Sequence, residues 1–320
     1  LREANYPTTL SAARSKVKKL LTPRRPRYNA DMILVGTAGW SYPDWEGIAY
    51  PKADDGLRTV ARYLDCVEID SSFYRPPTER MTAAWVKATP PEFRFLAKAW
   101  QRFTHERQTK WSPAELDLFL GGLAPLRDRL DALLFQFPWS FRNEPRNRDW
   151  LASLADAFDG WPFAVEVRHD SWTPDAFGGW IYCNVDQPQL KHCLPPADIS
   201  TSDTGYYRLH GRNAKNWFEE KQTVYGGRYD YLYSDAELDE LLGKIRAVAA
   251  KTKKTFVIFN NHKDAKAFSN ALQLKAAIAP PVRAPAALVA RYPALRGKVT
   301  VDGEQQLLLL PTRGDAPPAS

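Results

Sequence analysis

Residues 32–40 read Met32-Ile33-Leu34-Val35-Gly36-Thr37-Ala38-Gly39-Trp40, and the reading of this stretch decides the fold. It starts as a short apolar run, suited to a strand buried on both faces. It ends in a turn that separates two architectures. An open doubly wound sheet usually carries a glycine-rich phosphate turn after its first strand. Here Thr37, Ala38 and Trp40 put bulk where that fingerprint needs glycine. A closed barrel is the better reading.

Seven more apolar runs follow, at 67–70, 93–98, 132–137, 163–167, 180–185, 205–210 and 255–260. Helical patterns fill most of the gaps, at 57–64, 79–88, 113–129, 149–158, 236–250 and 264–278. The crossovers after the fifth and sixth runs are too short for full helices. Strands alternating with helices imply a parallel sheet with right-handed crossovers. Eight such units in about 250 residues make a single (β/α)8, TIM-like barrel, an α/β fold, placed over 31–279.

Charge divides the chain in the same way. The sequence has 44 Lys+Arg against 37 Asp+Glu, a formal net charge of +7 over 320 residues. Residues 1–30 hold eight basic residues and one acid, so the excess sits in an expected disordered arm. An Arg-rich, acid-poor start of this kind also resembles an organelle transit peptide. Residues 280–320 form a Pro-rich extension with a net charge of +2, where 299–310 offers a hairpin around Asp302-Gly303. The barrel itself, 31–279, sums to −2. The overall basicity is therefore no argument for a basic barrel. Nucleic acid as a partner enters only through Lys16, Lys18, Lys19 and the rest of the arm. No apolar run approaches the ~20 residues that span a bilayer. Cys66, Cys183 and Cys193 lack disulfide-framework or metal spacing and read as reduced thiols of a cytoplasmic protein. The oligomeric state is not legible.

Active sites of such barrels lie at the C-terminal strand ends. Reading each run there gives Glu68 and Asp70, then Lys98, Gln136, Glu166 with Arg168, Asp186, Arg208 with His210, and Asn260. The period of two puts Glu68 and Asp70 on one face, as it does Glu166 with Arg168 and Arg208 with His210. Buried charge is costly unless paired or used, so a ring of polar strand tips marks a site. A self-satisfied ion network is the alternative.

The same residues carry a resemblance. The motifs are Gly36-Thr37-Ala38-Gly39-Trp40-Ser41-Tyr42 and Val67-Glu68-Ile69-Asp70-Ser71-Ser72-Phe73-Tyr74-Arg75, with Phe135-Gln136-Phe137-Pro138. Glu166-Val167-Arg168-His169, Arg208-Leu209-His210-Gly211-Arg212 and Asn260-Asn261 continue them. Over about 32–278 the chain resembles the domain of unknown function 72 family, the YecE-like proteins. Asp70 and Ser72 depart from the expected Asn and Thr. The resemblance implies a TIM-like barrel with a polar pocket at its C-terminal face, and no activity.

The residues themselves suggest chemistry. Lys98, Arg168, Arg208 and Arg212, with Arg75 in a flanking loop, suit a small phosphorylated or otherwise anionic ligand. Glu166 and His210 form the expected acid–base pair, and Glu68 and Asp186 are supporting carboxylates. Like charge from Arg208 and Arg212 should keep His210 neutral. Gln136, Asn260, Trp40, Tyr74, His105 and Tyr231 complete the candidate substrate contacts. His169 falls on the opposite face from Arg168, while His192 and His262 show no clear partner. No cofactor signature is present, and a divalent ion held by Glu68, Glu166, Asp186 and His210 stays open. Phosphate-loop and Gly-x-Ser-x-Gly motifs are absent, which disfavours nucleoside-triphosphate and serine hydrolysis. Phosphoester hydrolysis or acid–base isomerisation remains, with non-catalytic binding of single-stranded nucleic acid or a phosphorylated ligand as the alternative. Gly226-Gly227 is a candidate hinge in the seventh loop.

Overall fold

The computed structural model describes residues 32–51, 56–215, 217 and 227–302. The basic arm, Gly226 of the expected hinge and most of the 299–310 hairpin lie outside the described residues.

Eight parallel strands close into a barrel in sequence order. They are β1 (Met32–Ala38), β2 (Cys66–Ile69), β3 (Arg94–Lys98), β4 (Leu130–Gln136), β5 (Phe163–Glu166), β6 (Ile181–Asp186), β7 (Thr204–Leu209) and β8 (Lys254–Phe259). All eight expected runs form strands. The barrel shuts where β1 pairs with β8, from Met32 opposite Lys254 to Thr37 opposite Phe259.

Strand alternation splits the core into two layers. Leu34, Leu96, Leu134, Cys183, Tyr206 and Phe256 belong to the buried cluster that fills the barrel. Val35, Phe95, Phe135, Val165, Tyr207 and Val257 face the surrounding helices. Those helices are α1 (Gly56–Tyr63), α2 (Glu79–Ala88), α3 (Gln101–Thr104), α4 (Pro113–Leu123), α5 (Pro145–Ala157), α6 (Asp235–Ala249), α7 (Lys266–Ile278) and α8 (Ala286–Arg291). Some of their starts are written in the sequence. Ser112 with Glu115 and Ser234 with Glu237 close reciprocal capping boxes on α4 and α6.

Several helices differ from the periodic reading, among them α5, which starts at Pro145, four residues before the expected 149. The pattern at 113–129 breaks after Leu123 into a 3-10 turn, Ala124–Arg129, with proline in its first positions. The pattern at 264–278 starts two residues late, because Asp264 and Ala265 take left-handed backbone angles. The short α3 was not anticipated; four residues are too few to display a period. The fifth and sixth crossovers are short, as expected: a 3-10 turn, Pro174–Phe177, stands before β6, and no helix stands between β6 and β7.

Beyond α7, residues 280–302 lie against the barrel rather than trailing from it. Leu288, Val289, Tyr292 and Leu295 are buried in the outer layer. Arg283–Ala284 and Thr300–Val301 pair as two parallel strands, β9 and β10. Among the described residues no helix is long and apolar enough to cross a membrane.

Candidate active site at the barrel mouth

The inward residues at the C-terminal ends of the strands form one connected set. Arg208 lies at its centre, 1 % exposed, between two fully buried carboxylates. Its Nη1 donates to Glu166 Oε2 at 2.7 Å and its Nη2 to Glu68 Oε1 at 2.6 Å. The Tyr206 hydroxyl donates to the other oxygen of Glu68. Arg168 covers Glu166 from above, with Nε and Nη2 on Oε1 at 2.9 and 2.6 Å. His210 completes the group, its Nε2 lying 3.3 Å from Glu166 Oε1 and 3.1 Å from Arg168 Nη2. Asn260 Nδ2 stands 3.0 Å from the ring's Nδ1. The ring thus stands between Asn260 on one side and Glu166 with Arg168 on the other.

These contacts set the charges. Burial works to raise the Glu166 carboxyl, but Arg208, Arg168 and His210 outweigh it and hold the group well below the usual carboxylate range. Glu68 has only part of one arginine, and burial pushes its carboxyl up. Burial, with Arg168 next, pulls the His210 imidazole down to about 3. The ring is therefore neutral at physiological pH. The expected neutrality holds, with desolvation as the leading cause.

A more open layer lies above. Lys98 Nζ is 3.3 Å from Asp70 Oδ1 and sits over the Phe73 ring at 4.0 Å. Burial raises Asp70, but Lys98 and Arg208 prevail and lower it. The aspartate that departs from the family pattern is thus matched by a cation. Ser72, the other departure, still supplies the hydroxyl, donating to the Ile69 and Lys98 carbonyls at 2.7 and 2.6 Å. His105 follows α3, its Nδ1 2.9 Å from Thr104 Oγ1 and its ring edge-on to Phe73. Burial first, then Lys98 and Arg168, bring it down to about 4. Trp217 and Tyr229 of the β7–α6 connection approach His210 with ring centroids 6.0 and 6.3 Å away, and Trp217 lies under the Arg168 guanidinium. Tyr74, 66 % exposed, stands at the rim near Asp70 and Lys98. Gln136, inward beside Glu166 in register, donates to the Phe137 carbonyl.

Other candidates go elsewhere. Asp186 follows the inward Val185, so alternation turns it to the outer layer. There it binds Arg212 at 2.9–3.1 Å and accepts from the Tyr233 hydroxyl at 2.6 Å. Arg212 also reaches Glu237, the partner of Ser234 in the α6 capping box, which accepts from Tyr231 at 2.6 Å. Asp186, Arg212 and Tyr231 are thus a separate cluster anchoring the β7–α6 connection. Trp40 packs edge-on against Trp85 in the outer layer. Arg75 is exposed. The four expected metal ligands do not converge: Asp186 faces away, Glu68 and Glu166 are occupied by Arg208, and His210 is held by Asn260.

Sequence reading passed over Tyr206, whose hydroxyl is invisible as a partner until strand neighbours are known. It also gave His262 no partner. The ring stacks on Tyr42 at 4.5 Å and lies 5.2 Å from Tyr229.

Comparison with known proteins gives consistent matches. A family model described as "Protein of unknown function DUF72" matches residues 34–292. UPF0759 protein YunF of Bacillus subtilis (strain 168) is 30% identical over 269 residues, covering 76% of this chain and 93% of that protein. UPF0759 protein YecE of Escherichia coli (strain K12) is 29% identical over 140 residues, 43% of this chain and 49% of that one. A DUF72 family protein from Thermotoga maritima MSB8 superposes with TM-score 0.68 at 33% identity, covering 77% of this chain and 99% of its own. Another from Enterococcus faecalis V583 gives TM-score 0.68 at 28% identity, with 76% and 94% covered.

Proposed function

The chain belongs to the DUF72 family, and we propose that its barrel mouth binds a small phosphorylated or otherwise anionic substrate and performs acid–base chemistry on it. The observation that carries this reading is the layering of charge. In the lower layer Glu68, Arg208 and Glu166 spend their charge on one another and are almost wholly buried. In the upper layer the side chains of Lys98 and Arg168 keep 11 % and 12 % exposure. Lys98 engages one carboxylate oxygen with a three-donor ammonium, and Arg168 keeps Nη1 clear of the Glu166 contact. Such donors, backed by a rigid network, suit an incoming phosphate or carboxylate.

Proton transfer at this mouth falls to His105. Its imidazole is neutral at physiological pH and close enough to Lys98, Arg168 and Glu166 to feel each charge. Glu166 and His210, the pair first suggested by the sequence, are fully buried and bonded on every side facing the network. Their burial supports a positioning role, holding Arg168 toward the substrate. Isomerisation or phosphoester hydrolysis both fit this arrangement.

A thermal-shift and calorimetric panel tests the reading, with sugar phosphates and nucleoside monophosphates set against their unphosphorylated counterparts. Phosphorylated compounds are expected to bind, and Lys98→Ala to weaken them at least tenfold, about 1.4 kcal/mol. His105→Gln should retain binding and lose about 10²–10⁴-fold in turnover. Equal binding of the neutral counterparts, or unchanged affinity in Lys98→Ala, overturns it.

A further inference from the structure

A second group of ligand-type side chains lies outside the mouth. His169 and Asp170 follow Arg168 beyond the end of β5, and His192 comes from the β6–β7 connection. His169 Nδ1 stands 3.2 Å from Asp170 Oδ1, and His192 Nδ1 stands 3.0 Å from Asp170 Oδ2. The two imidazoles are nearly parallel, 10° between planes and 5.5 Å between centroids. One ligand atom from each of the three residues falls within 4.8 Å of the others.

The backbone is built to hold this arrangement. His192 has φ of 60°, a left-handed conformation that a β-carbon disfavours. Its carbonyl accepts from the Asp170 amide at 3.2 Å and from Trp139 Nε1 at 3.2 Å. The next residue, Cys193, bridges antiparallel to His169. Leu194 N donates to the Arg168 carbonyl at 3.0 Å. Two chain segments are thereby tied backbone to backbone, with the three donors between them.

The spacing fits an ion. Metal–nitrogen and metal–oxygen bonds of about 2.0–2.2 Å at tetrahedral angles place neighbouring ligand atoms roughly 3.3 Å apart. The two imidazole nitrogens stand 3.2 and 3.0 Å from different oxygens of Asp170, and one ligand atom from each residue lies within 4.8 Å of the others, so side-chain rotations that bring both rings onto a common ion would close the site. Two imidazoles and one carboxylate suit zinc and its neighbours in the first transition row; calcium and magnesium prefer all-oxygen sites. Asp170 and His192 side chains are 46 % and 47 % exposed, which gives entry to the ion and leaves a position for water. The exchange costs His169 Nδ1 its two Ser171 contacts, the amide at 3.1 Å and the hydroxyl at 3.0 Å.

We propose that His169, Asp170 and His192 form a divalent transition-metal site that clips the β6–β7 connection onto the end of β5. The site does not depend on the reading of the mouth. The test uses the full, untagged chain, stripped with chelator and dialysed against Zn²⁺ or Co²⁺. Elemental analysis should find one ion per chain, and bound Co²⁺ should give the visible spectrum of nitrogen–oxygen coordination. His192→Ala and Asp170→Asn, both half-exposed positions, should fold and bind at least tenfold more weakly. His105→Ala at the mouth should bind as the parent chain does. Failure to retain an ion, or unchanged affinity in His192→Ala, overturns the proposal, as does loss of the ion in His105→Ala.

Discussion

Acidification from pH 7 to pH 5 puts the neutral burial of His210 to a quantitative test. Burial, reinforced by the Arg168 guanidinium 3.1 Å away, lowers the imidazole from 6.5 to about 3 in the folded protein. In the unfolded chain it titrates near its ordinary value. Between the two values the unfolded chain binds a proton that the folded chain refuses. Stability from this group is therefore complete above the unfolded value and falls as the pH drops toward the folded one. At 1.36 kcal/mol per pH unit, pH 5 lies roughly 1.5 units into that window and costs about 2 kcal/mol. Glu166 acts lower down: its depressed carboxyl contributes stability above the unfolded carboxylate value and loses it below. His105, also lowered, adds to the slope, so the parent chain alone is not a clean readout. The variant His210→Gln isolates the effect. It gives up the Asn260 contact at both pH values, which shifts its stability but not its slope. Urea unfolding of parent and variant should show the gap between them narrowing by about 2 kcal/mol from pH 7 to pH 5. A gap constant to within about 0.5 kcal/mol would refute a neutral, buried His210.

Further substitutions probe the frame beneath the mouth. Arg208→Met strands Glu68 in the interior and leaves Glu166 with Arg168 as its one remaining guanidinium partner, so urea unfolding should report a loss of about 3–5 kcal/mol. Gly36→Ala would place a β-carbon 2.3 Å from the Cys66 carbonyl oxygen and drive β1 away from β2. A loss of about 3 kcal/mol or more in thermal unfolding is expected, whereas Gly121→Ala on the open face of α4 should be neutral or stabilising.

Much of this architecture could be read from the chain because its signals are local. A buried parallel strand announces itself as an apolar run, and all eight did so. The common face of Glu166, Arg168, Arg208 and His210 follows from a period of two, and these four do meet. The same rule, applied to Val185 and Asp186, would have sent Asp186 outward; its position at a strand tip outweighed its parity. What could not be read are pairings that depend on how far the barrel turns between strands. Arg208 reaches Glu68 across the interior, and no spacing in the sequence encodes that distance. His192 meets Asp170 only because the β6–β7 connection, lacking a helix, folds back over the end of β5. Residues 280–302 misled by composition: proline and weak periodicity suggested an extension, while Leu288 and Leu295 are fully buried.

The seam between β1 and β8 governs how the molecule comes into being. Its six register pairs join the first strand of the barrel to its last, from Met32 with Lys254 onward. Until residues near 259 have left the ribosome, β1 presents an unpaired parallel edge, open to association with other chains. Synthesis from the N-terminus therefore yields a sheet that waits, strand by strand, for its final member. The slow step of folding is expected to be that last, most distant pairing, because loop closure over such a separation must precede any gain from contact.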